Sequence, residues 1–319
     1  MASMSATNTF YRKIRKRGSL SLPALFFLFL FFTATAFAES PEKCHAWIPV
    51  FRGVDYLFLH QETPLPQRIH LVKIDLKDPA IRFTSTPPNT EKARRETRCE
   101  TTLAFVKEKK AQLGINGNFF INDHQEDTDL LGLAVSDGTV VSLWDKGWAK
   151  YAVNIAEDNQ VTFVARPEGG ENTSETVPPV KLFNALTGNI MLVEDGKVKT
   201  EEEGDRHPRT AVGLTADQKM LFLIADGRQP GHCTGLTYHD MATLFVEFNA
   251  VRALALDGGG SSTLVLADPE PRVVNVPLPA TVPEGVVLNP PGVERKNGNN
   301  LAVFAAPLES RQSGESSAE

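Results

Sequence analysis

The sequence has few cysteines and lacks the patterns that mark common metal and nucleotide sites. No set of cysteines and histidines has the spacing of a zinc site. No Gly-Lys-Ser/Thr follows a glycine-rich segment, which excludes a P-loop, and no Gly-x-Ser-x-Gly segment is present, which argues against an α/β-hydrolase serine enzyme. The acidic loop 123–129 lacks the register of a calcium loop, so we expect a solvated loop there. We therefore predict neither a metal nor a cofactor.

With only three cysteines, the chain can form at most one disulfide and leaves one thiol free. In an exported protein such a bond persists. The Cys44–Cys99 pairing is preferred, because Cys233 lies in a segment that we assign to the candidate site. For Cys233 itself, an inert buried thiol is favoured over a functional one.

The sequence has one long apolar run, Leu20–Phe32, and no second run of membrane-spanning length. Five basic residues between Arg12 and Arg17 precede it, and Ala36-Phe37-Ala38 follows with the small-x-small pattern of a signal-peptidase site. We predict a signal peptide over residues 1–38 and an exported protein, periplasmic or secreted. The alternative is an uncleaved anchor, which would be the chain's contact with the membrane.

Basic residues are in the minority once the predicted signal peptide is removed. Residues 39–319 hold 28 Lys and Arg against 39 Asp and Glu, a net charge of −11. A strongly acidic balance disfavours nonspecific binding to polyanions, so no nucleic-acid partner is expected. It does not exclude a local cationic pocket.

The remaining chain divides by pattern into a β-rich segment, a long mixed region and a polar tail. Residues 39–100 contain clustered β-formers separated by prolines, and residues 101–308 alternate strand, hairpin and helix patterns. Thr237 and Asp240 form a capping box for a helix that runs to about Asn249, and the apolar stripe on its face predicts core. An earlier helix, capped by Thr101 or Thr102, is predicted to run to about Gln112, and the Asp-Gly pairs at 137–138 and 195–196 predict two tight hairpins. Residues 277–299 are proline-rich and predict an irregular loop. Residues 309–319 predict a disordered tail.

The most informative segment for chemistry is a predicted buried strand that ends in Asp257 and continues as Gly258-Gly259-Gly260-Ser261-Ser262. Consecutive glycines allow the backbone to present several N–H groups to an anion, next to the carboxylate. The alternative is a tight turn that Asp257 caps. Short glycine motifs alone do not separate the two.

A predicted hairpin brings a second set of charged residues together. Its first strand begins at Arg209, and its return strand ends just before Asp226-Gly227-Arg228. Antiparallel pairing places Arg209, Asp226 and Arg228 at the same end of the sheet. An arginine fork suits phosphate, although a structural Arg–Asp ion pair explains the pattern equally well. His207 is ambiguous for the same reason.

Two further polar residues occupy positions where a ligand could bind. Asn118 follows a short buried strand in Asn116-Gly117-Asn118-Phe119-Phe120 and can bind a sugar hydroxyl or fix its own turn. His232 precedes the capped helix and can act as a phosphate donor or an acid/base group.

The order of these segments resembles the phosphodiester glycosidase family from about Leu113 to Phe304. The series is Asn-Gly-x-Phe-Phe, Arg-Thr-Ala-Val-Gly, Asp-Gly-Arg, Gly-His-x-x-Gly-Leu-Thr and Leu-Asp-Gly-Gly-Gly-Ser-Ser-Thr. The resemblance implies an α+β fold with a mixed or antiparallel β-sheet and a few packed helices. Family motif positions are occupied here by Asn118, Arg209, Asp226, His232, Asp257, Gly258, Gly259, Ser261 and Ser262. Asn118 and Cys233 depart from residues common among the relatives, Gly and Ser respectively.

The resemblance also implies hydrolysis of a sugar joined through its anomeric carbon to a phosphodiester, such as an α-N-acetylglucosaminyl phosphodiester. We expect Asp257 to act at the anomeric carbon, with Asp226 as its partner or as the residue that orients Arg209. Arg209, the Gly258–Gly260 amides and His232 are expected to neutralise the departing phosphate, with Arg228, Ser261 and Ser262 in the same site. The expected substrate is an envelope or exopolysaccharide phosphoglycan. Two alternatives stay open: a non-catalytic phosphoglycan-binding envelope protein, and attack at phosphorus.

Overall fold

The structure of the protein is a computed structural model that describes residues 46–145, 148–229, 232–278, 281–282, 286–287 and 292–308. The predicted signal peptide, Cys44, Gly231 and the predicted tail lie outside the described residues. The predicted Cys44–Cys99 pairing therefore stays a prediction.

The described chain forms 22 strands, two α-helices and one 3₁₀ turn, and most strands are short. In chain order they are β1 Ile48–Phe51, β2 Val54–Gln61, β3 Gln67–Asp75, β4 Arg82–Ser85, β5 Thr97–Arg98, α1 Thr102–Lys109, β6 Leu113–Asn116, β7 Asp127–Thr128, β8 Ala134–Ser136, β9 Thr139–Ser142, β10 Tyr151–Ile155, β11 Val161–Ala165, β12 Asn184–Gly188, β13 Ile190–Glu194, β14 Lys197–Val198, β15 Arg209–Thr215, β16 Lys219–Ala225, α2 Tyr238–Glu247, β17 Ala250–Ala255, a 3₁₀ turn Gly259–Ser261, β18 Leu264–Ala267, β19 Pro271–Val273, β20 Thr281–Val282, β21 Val286–Val287 and β22 Asn300–Phe304.

Three larger sheets organise these strands. The first has the order β1-β2-β3-β16-β15-β17-β13-β14, the second β11-β10-β12-β8-β9, and the third β19-β18-β6-β22-β4. The strand pairs within them are antiparallel. Mostly antiparallel sheets with two packed helices confirm the predicted α+β class.

Strands from both sides of the predicted boundary near residue 100 share sheets. Strand β3 pairs with the whole of β16, from Asp75 opposite Lys219 to Ile69 opposite Ala225. Strand β4 pairs with β22 near the end of the described chain. The β-rich entry segment thus completes the sheets that carry the candidate site.

Local sequence signals explain the tight hairpins. Asp137 and Gly138, between β8 and β9, both have positive φ angles, of 47° and 81°. Asp195 and Gly196, between β13 and β14, repeat this with 50° and 71°. An Asp-Gly pair suits such a turn, because both central residues must adopt the left-handed conformation. These two predicted hairpins are confirmed.

Helix α2 begins where the capping box predicts. The backbone N–H of Asp240 donates to the Thr237 hydroxyl at 3.0 Å, and the N–H of Thr237 donates to the Asp240 carboxylate at 2.9 Å. Met241 and Phe245 are fully buried against one face of the first sheet. Each such side chain contributes about 1.5–3 kcal/mol by burial, so the apolar stripe is core, as predicted.

Helix α1 is shorter than the sequence predicts. Thr101 caps its first turn, but the helix ends at Lys109 rather than near Gln112, because Lys110 adopts a left-handed φ of 55°. Its buried residues, Phe105 and Val106, pack on the outer face of the third sheet. Within the described residues, no helix is both long and apolar enough to cross a bilayer.

The main core fills the space where the three sheets face one another. Phe222 of the first sheet, Leu186 of the second and Ile115 of the third belong to one buried cluster. The ends of β6, β12, β15, β16 and β17 meet along one border of this core. The candidate site lies on that border.

Candidate active site

Asp257 lies just past the end of β17, where two other segments fix the backbone. Its N–H donates to the Gly117 carbonyl at 3.2 Å, and its carbonyl accepts from Asn116 Nδ2 at 2.6 Å. The neighbouring Leu256 N–H donates to the Thr210 carbonyl at 2.9 Å. The motifs around Asn116, Arg209 and Asp257, which are distant in sequence, therefore meet at one carboxylate.

The Asp257 carboxylate is buried and has two side-chain partners. Its Oδ2 accepts a hydrogen bond from Ser261 Oγ and lies 3.3 Å from Arg295 Nη2. Burial raises the pKa of Asp257 to about 6, against the opposing effects of Arg295, the Ser261 hydroxyl and the Gly258 amide. Asp257 is thus mostly ionised at neutral pH and is protonated in mildly acidic solution, which suits a nucleophile or base.

Arginine side chains surround the Asp257 turn. Arg228 lies against Gly259, so close that a β-carbon on this glycine would stand 3.3 Å from Arg228 Nη1. Burial lowers the pKa of Arg228, and the charges of Arg209 and Arg295 lower it further. Guanidinium groups that repel one another in this way create a site for an anion.

His207 belongs to the same cluster as a neutral donor. Its Nδ1 accepts from Arg228 Nε at 3.1 Å, so the ring hydrogen is on Nε2. Burial lowers the pKa of His207, and Arg228 and Arg209 lower it further. At neutral pH the ring is therefore uncharged and presents an N–H.

Arg209 reaches the border of the core as the hairpin predicts, opposite Ala225. Its guanidinium stacks over the Tyr238 ring at 3.9 Å and donates from Nε to the Leu236 carbonyl at 3.0 Å. Nη2 donates to the Asp205 carbonyl at 2.9 Å. These contacts fix the guanidinium, and its charge still reaches Arg228 and His207.

Asp226 does not pair with Arg209, although both lie at the same end of the hairpin. Its Oδ1 accepts from Asn275 Nδ2 at 3.0 Å and from the Val276 N–H at 2.9 Å, and its Oδ2 lies 3.9 Å from His70 Nε2. Asn275 Nδ2 also donates to the Ser262 carbonyl at 2.9 Å. Asp226 therefore does not orient Arg209, which was one of its two predicted roles. Its carboxylate binds Asn275 instead, and Asn275 holds the Ser262 carbonyl in the turn after Asp257.

The glycines form a 3₁₀ turn rather than the predicted anion nest. The Gly259 N–H donates to the Pro208 carbonyl at 2.8 Å, and the Gly258 N–H binds the Asp257 carboxylate. These amides therefore do not face a ligand, and this part of the prediction is corrected. Gly260 lies within the same turn, and the cationic side of the site comes from arginine side chains instead.

The two serines of the motif differ sharply in their contacts. Ser261 is fully buried and its hydroxyl binds both the Asp257 carboxylate and Arg295. Ser262 is also buried, but its hydroxyl has no hydrogen-bond partner among the described residues. Only Ser261 acts directly on the carboxylate.

Both the nitrogen and the oxygen of the Asn118 side-chain amide form hydrogen bonds within the protein. Nδ2 donates to the Leu133 carbonyl at 3.1 Å and Oδ1 accepts from the Thr187 N–H at 3.1 Å. This geometry favours the alternative in which Asn118 fixes its own turn. His232 is half-buried in the turn before α2, where its backbone N–H donates to the Gln229 carbonyl at 2.9 Å.

Sequence reasoning missed Arg295, the cation in direct contact with Asp257. It lies in the proline-rich segment 277–299, for which the sequence predicts only an irregular loop. No spacing rule connects it to Asp257. The sequence feature that points to it is the run of three charged residues, Glu294-Arg295-Lys296, in an otherwise proline-rich segment.

Neither cysteine nor the acidic loop adds a metal centre. Cys99 and Cys233 are buried and do not pair with each other, and burial raises the pKa of the Cys99 thiol to about 11. Asp123, in the acidic loop, pairs with Arg95 at 2.6 Å. Within the described ranges, no group of three or more His, Cys, Asp or Glu residues could hold a metal ion.

Residues 109–304 match the sequence profile of the phosphodiester glycosidase family. The chain is 27% identical over 216 residues to N-acetylglucosamine-1-phosphodiester alpha-N-acetylglucosaminidase of Mus musculus, covering 62% of this chain and 39% of the mouse protein. It is 27% identical over 175 residues to the SPbeta prophage-derived uncharacterized protein YomE of Bacillus subtilis (strain 168), covering 52% and 26%. The chain thus spans well under half the length of these relatives.

Solved structures share the fold. The zebrafish N-acetylglucosamine-1-phosphodiester alpha-N-acetylglucosaminidase catalytic domain, auto-inhibited by its pro-peptide, gives a TM-score of 0.59 at 20% identity, covering 81% of this chain and 84% of that one. A hypothetical protein from Synechocystis gives 0.58 at 14% identity, covering 84% and 64%. Because the family profile covers more than half of the sequence, this chain belongs to the phosphodiester glycosidase family, a family of glycosidase-type hydrolases.

Proposed function

We propose that this protein hydrolyses sugar-1-phosphodiesters by attack at the anomeric carbon. The observation that carries the proposal is a buried carboxylate, Asp257, whose pKa is raised to about 6 beside a cluster of arginines. A carboxylate that is ionised near neutral pH serves at an anomeric carbon, and arginines serve a phosphate. A sugar-1-phosphodiester combines both groups.

The phosphate binds where the cations converge. Arg295 contacts the Asp257 carboxylate and Arg228 lies against Gly259 of the same turn. His207 binds Arg228, and Arg209 is near enough to lower the pKa of Arg228. As the sugar–oxygen bond breaks, negative charge grows on the phosphate. Fixed cations and N–H donors stabilise that charge, and each such donor contributes about 3–4 kcal/mol in comparable sites.

Asp257 then acts on the sugar in one of two ways. As a nucleophile, Oδ forms a bond to the anomeric carbon while the carbon–oxygen bond to phosphate breaks and its electron pair leaves with the phosphomonoester. Water afterwards hydrolyses the glycosyl ester. As a base, Asp257 takes the proton from a water that attacks the same carbon. Phosphate leaves readily, so either route needs little help from a general acid.

The relatives and the N-terminal sequence support the proposed substrate and location. The mouse relative's name specifies an α-linked N-acetylglucosamine phosphodiester, which makes this sugar the first candidate. A basic cluster and an apolar run followed by Ala36-Phe37-Ala38 support export, and hence a phosphoglycan of the envelope or an exopolysaccharide. N-terminal sequencing of the exported protein tests the location, with Glu39 as the expected first residue.

The deciding experiment measures free reducing sugar released from a panel of sugar-1-phosphodiesters. The full chain is compared with Asp257→Asn and with Asp195→Asn, a control in an exposed turn. Release by the wild type and the control but not by Asp257→Asn supports the proposal. Binding of sugar phosphates without any release would instead identify a phosphoglycan-binding protein.

Isotopically labelled water locates the bond that breaks. Attack at the anomeric carbon puts the label into the released sugar. Label in the phosphate would show attack at phosphorus and contradict the proposed chemistry.

A further inference from the structure

A cavity of about 440 Å³ shares one residue, Arg295, with the candidate active site. Arg295 is part of its wall, and the same guanidinium binds the Asp257 carboxylate. Phe120, which forms another part of the wall, lies 5.3 Å beneath this guanidinium. One guanidinium thus borders both the cavity and the Asp257 carboxylate.

The wall that carries Arg295 is anchored to helix α1. Glu294 Oε1 accepts from the Leu103 N–H at 3.0 Å, in the first turn of the helix. Glu100 and Asn297 exchange two backbone hydrogen bonds, of 3.1 and 2.8 Å. Because these contacts hold the chain on both sides of Arg295, the cavity is formed before any ligand binds.

The lining of the cavity combines apolar and polar groups. Phe120 and Ile121 supply apolar surface, and Asn122, Gln125 and Lys296 supply donors and acceptors. A hexose has the matching surface, since its ring carries apolar C–H faces and a rim of hydroxyls. Pockets for small molecules typically hold about 300–1,000 Å³, so this one is large enough for a sugar.

The position of the cations decides which part of the substrate enters the cavity. Arg228 approaches the Asp257 turn at Gly259, whereas the cavity opens at Arg295 and Phe120. A substrate with its phosphate at Arg228 and its anomeric carbon at Asp257 directs its sugar toward the cavity. We propose that this cavity is the subsite for the sugar whose anomeric bond is cleaved, an inference that rests on the proposed function.

The first test fills the cavity and compares two series of substrates. Asn122→Trp and, independently, Gln125→Trp place an indole on exposed lining positions that do not contact Asp257. Gln160→Trp is the matched control, in an exposed turn at the opposite end of the strands. One substrate series varies the sugar on a fixed methyl phosphate, and the other varies the alcohol of the phosphodiester on a fixed sugar.

The inference predicts that both cavity variants lower kcat/KM at least about tenfold, mainly through KM, and by the same factor for every alcohol. Gln160→Trp should stay within about twofold of the wild type. A loss that grows with the size of the alcohol would place the leaving group in the cavity and overturn the inference. Unchanged kcat/KM in both variants would also overturn it.

A second test does not depend on catalysis. Saturation-transfer NMR with free N-acetylglucosamine, glucose and mannose measures sugar binding without phosphate. Binding of at least one sugar to the wild type and to Gln160→Trp, with loss in both cavity variants, supports the subsite even if no phosphodiester is hydrolysed. Absence of binding, or binding that the cavity variants retain, overturns it.

Discussion

Arg295 binds the carboxylate of Asp257 although 38 residues separate them in the chain. Its Nη2 lies 3.3 Å from Oδ2 and also donates to the Ser261 hydroxyl. The contact has two consequences. It lowers the pKa of Asp257 against the effect of burial, and it places a positive charge beside the bond that the proposed reaction breaks.

Removing this cation should therefore change both the rate and its pH dependence. In Arg295→Ala, the pKa of Asp257 is expected to rise above its present value of about 6, because burial is no longer opposed by the guanidinium. The acid limb of kcat/KM then moves to higher pH. At the pH optimum, kcat/KM should fall about 10²–10³-fold, as for the loss of one donor to a developing anion.

Arg295→Lys and Arg252→Ala complete this experiment. The lysine keeps a charge but loses the planar fork, so we expect it to restore the acid limb more fully than the rate. Arg252 is a half-exposed arginine paired with Glu194 at 3.6 Å on the first sheet, and its removal should leave the profile unchanged. An acid limb that does not move in Arg295→Ala would exclude Asp257 as the group that titrates.

The two adjacent serines offer a matched pair. Ser261→Ala removes a donor to the Asp257 carboxylate, which should raise the pKa of Asp257 and lower kcat about tenfold. Ser262→Ala removes a hydroxyl that has no partner in the described structure, so activity should stay within about twofold. The dependence of kcat on pH is measured for both variants. An equal fall in kcat in the two variants would show that the conformation of the turn, rather than the Ser261 hydrogen bond, limits the rate.

Local signals in the sequence predicted much of the fold. Capping residues, Asp-Gly turns and alternating apolar residues located α2, the hairpins and the strand before Asp257. These features depend on residues within a few positions of one another. The end of α1 was misplaced, because the left-handed conformation of Lys110 has no clear signal in the sequence.

The site itself was harder to predict, because its decisive contacts are long-range. Asp257 was found from its own motif, but its partner Arg295 belongs to a proline-rich loop without a helix or strand pattern. Asp226 was placed correctly at the sheet end, yet the direction of its carboxylate depends on Asn275, 49 residues away. The Gly259 amide is not a ligand donor as predicted, because its N–H donates to the Pro208 carbonyl.

Asn118 provides a test of structural against substrate-binding roles. Asn118→Ala leaves the buried Thr187 N–H and the Leu133 carbonyl with fewer partners. We expect the free energy of unfolding to fall by about 2–3 kcal/mol, the cost of unsatisfied buried groups, with KM within about threefold of the wild type. Urea unfolding and steady-state kinetics measure the two effects. Unchanged stability with a large rise in KM would instead assign Asn118 to the substrate.

The raised pKa of Asp257 also predicts how stability depends on pH. The folded protein binds this proton more tightly than the unfolded chain, because the pKa rises from 3.8 to about 6 on folding. Stability is therefore lost as the pH increases through this window, by up to about 3 kcal/mol at 1.36 kcal/mol per pKa unit. Asp257→Asn has no such titration.

Urea unfolding of the wild type and Asp257→Asn at about pH 4.5 and pH 7 isolates this effect, since all other groups titrate in both proteins. The variant should gain stability relative to the wild type between the two pH values. A constant difference would mean that Asp257 is ionised throughout, with a pKa near its ordinary value. In that case the arginine cluster would already balance the cost of burying the Asp257 carboxylate.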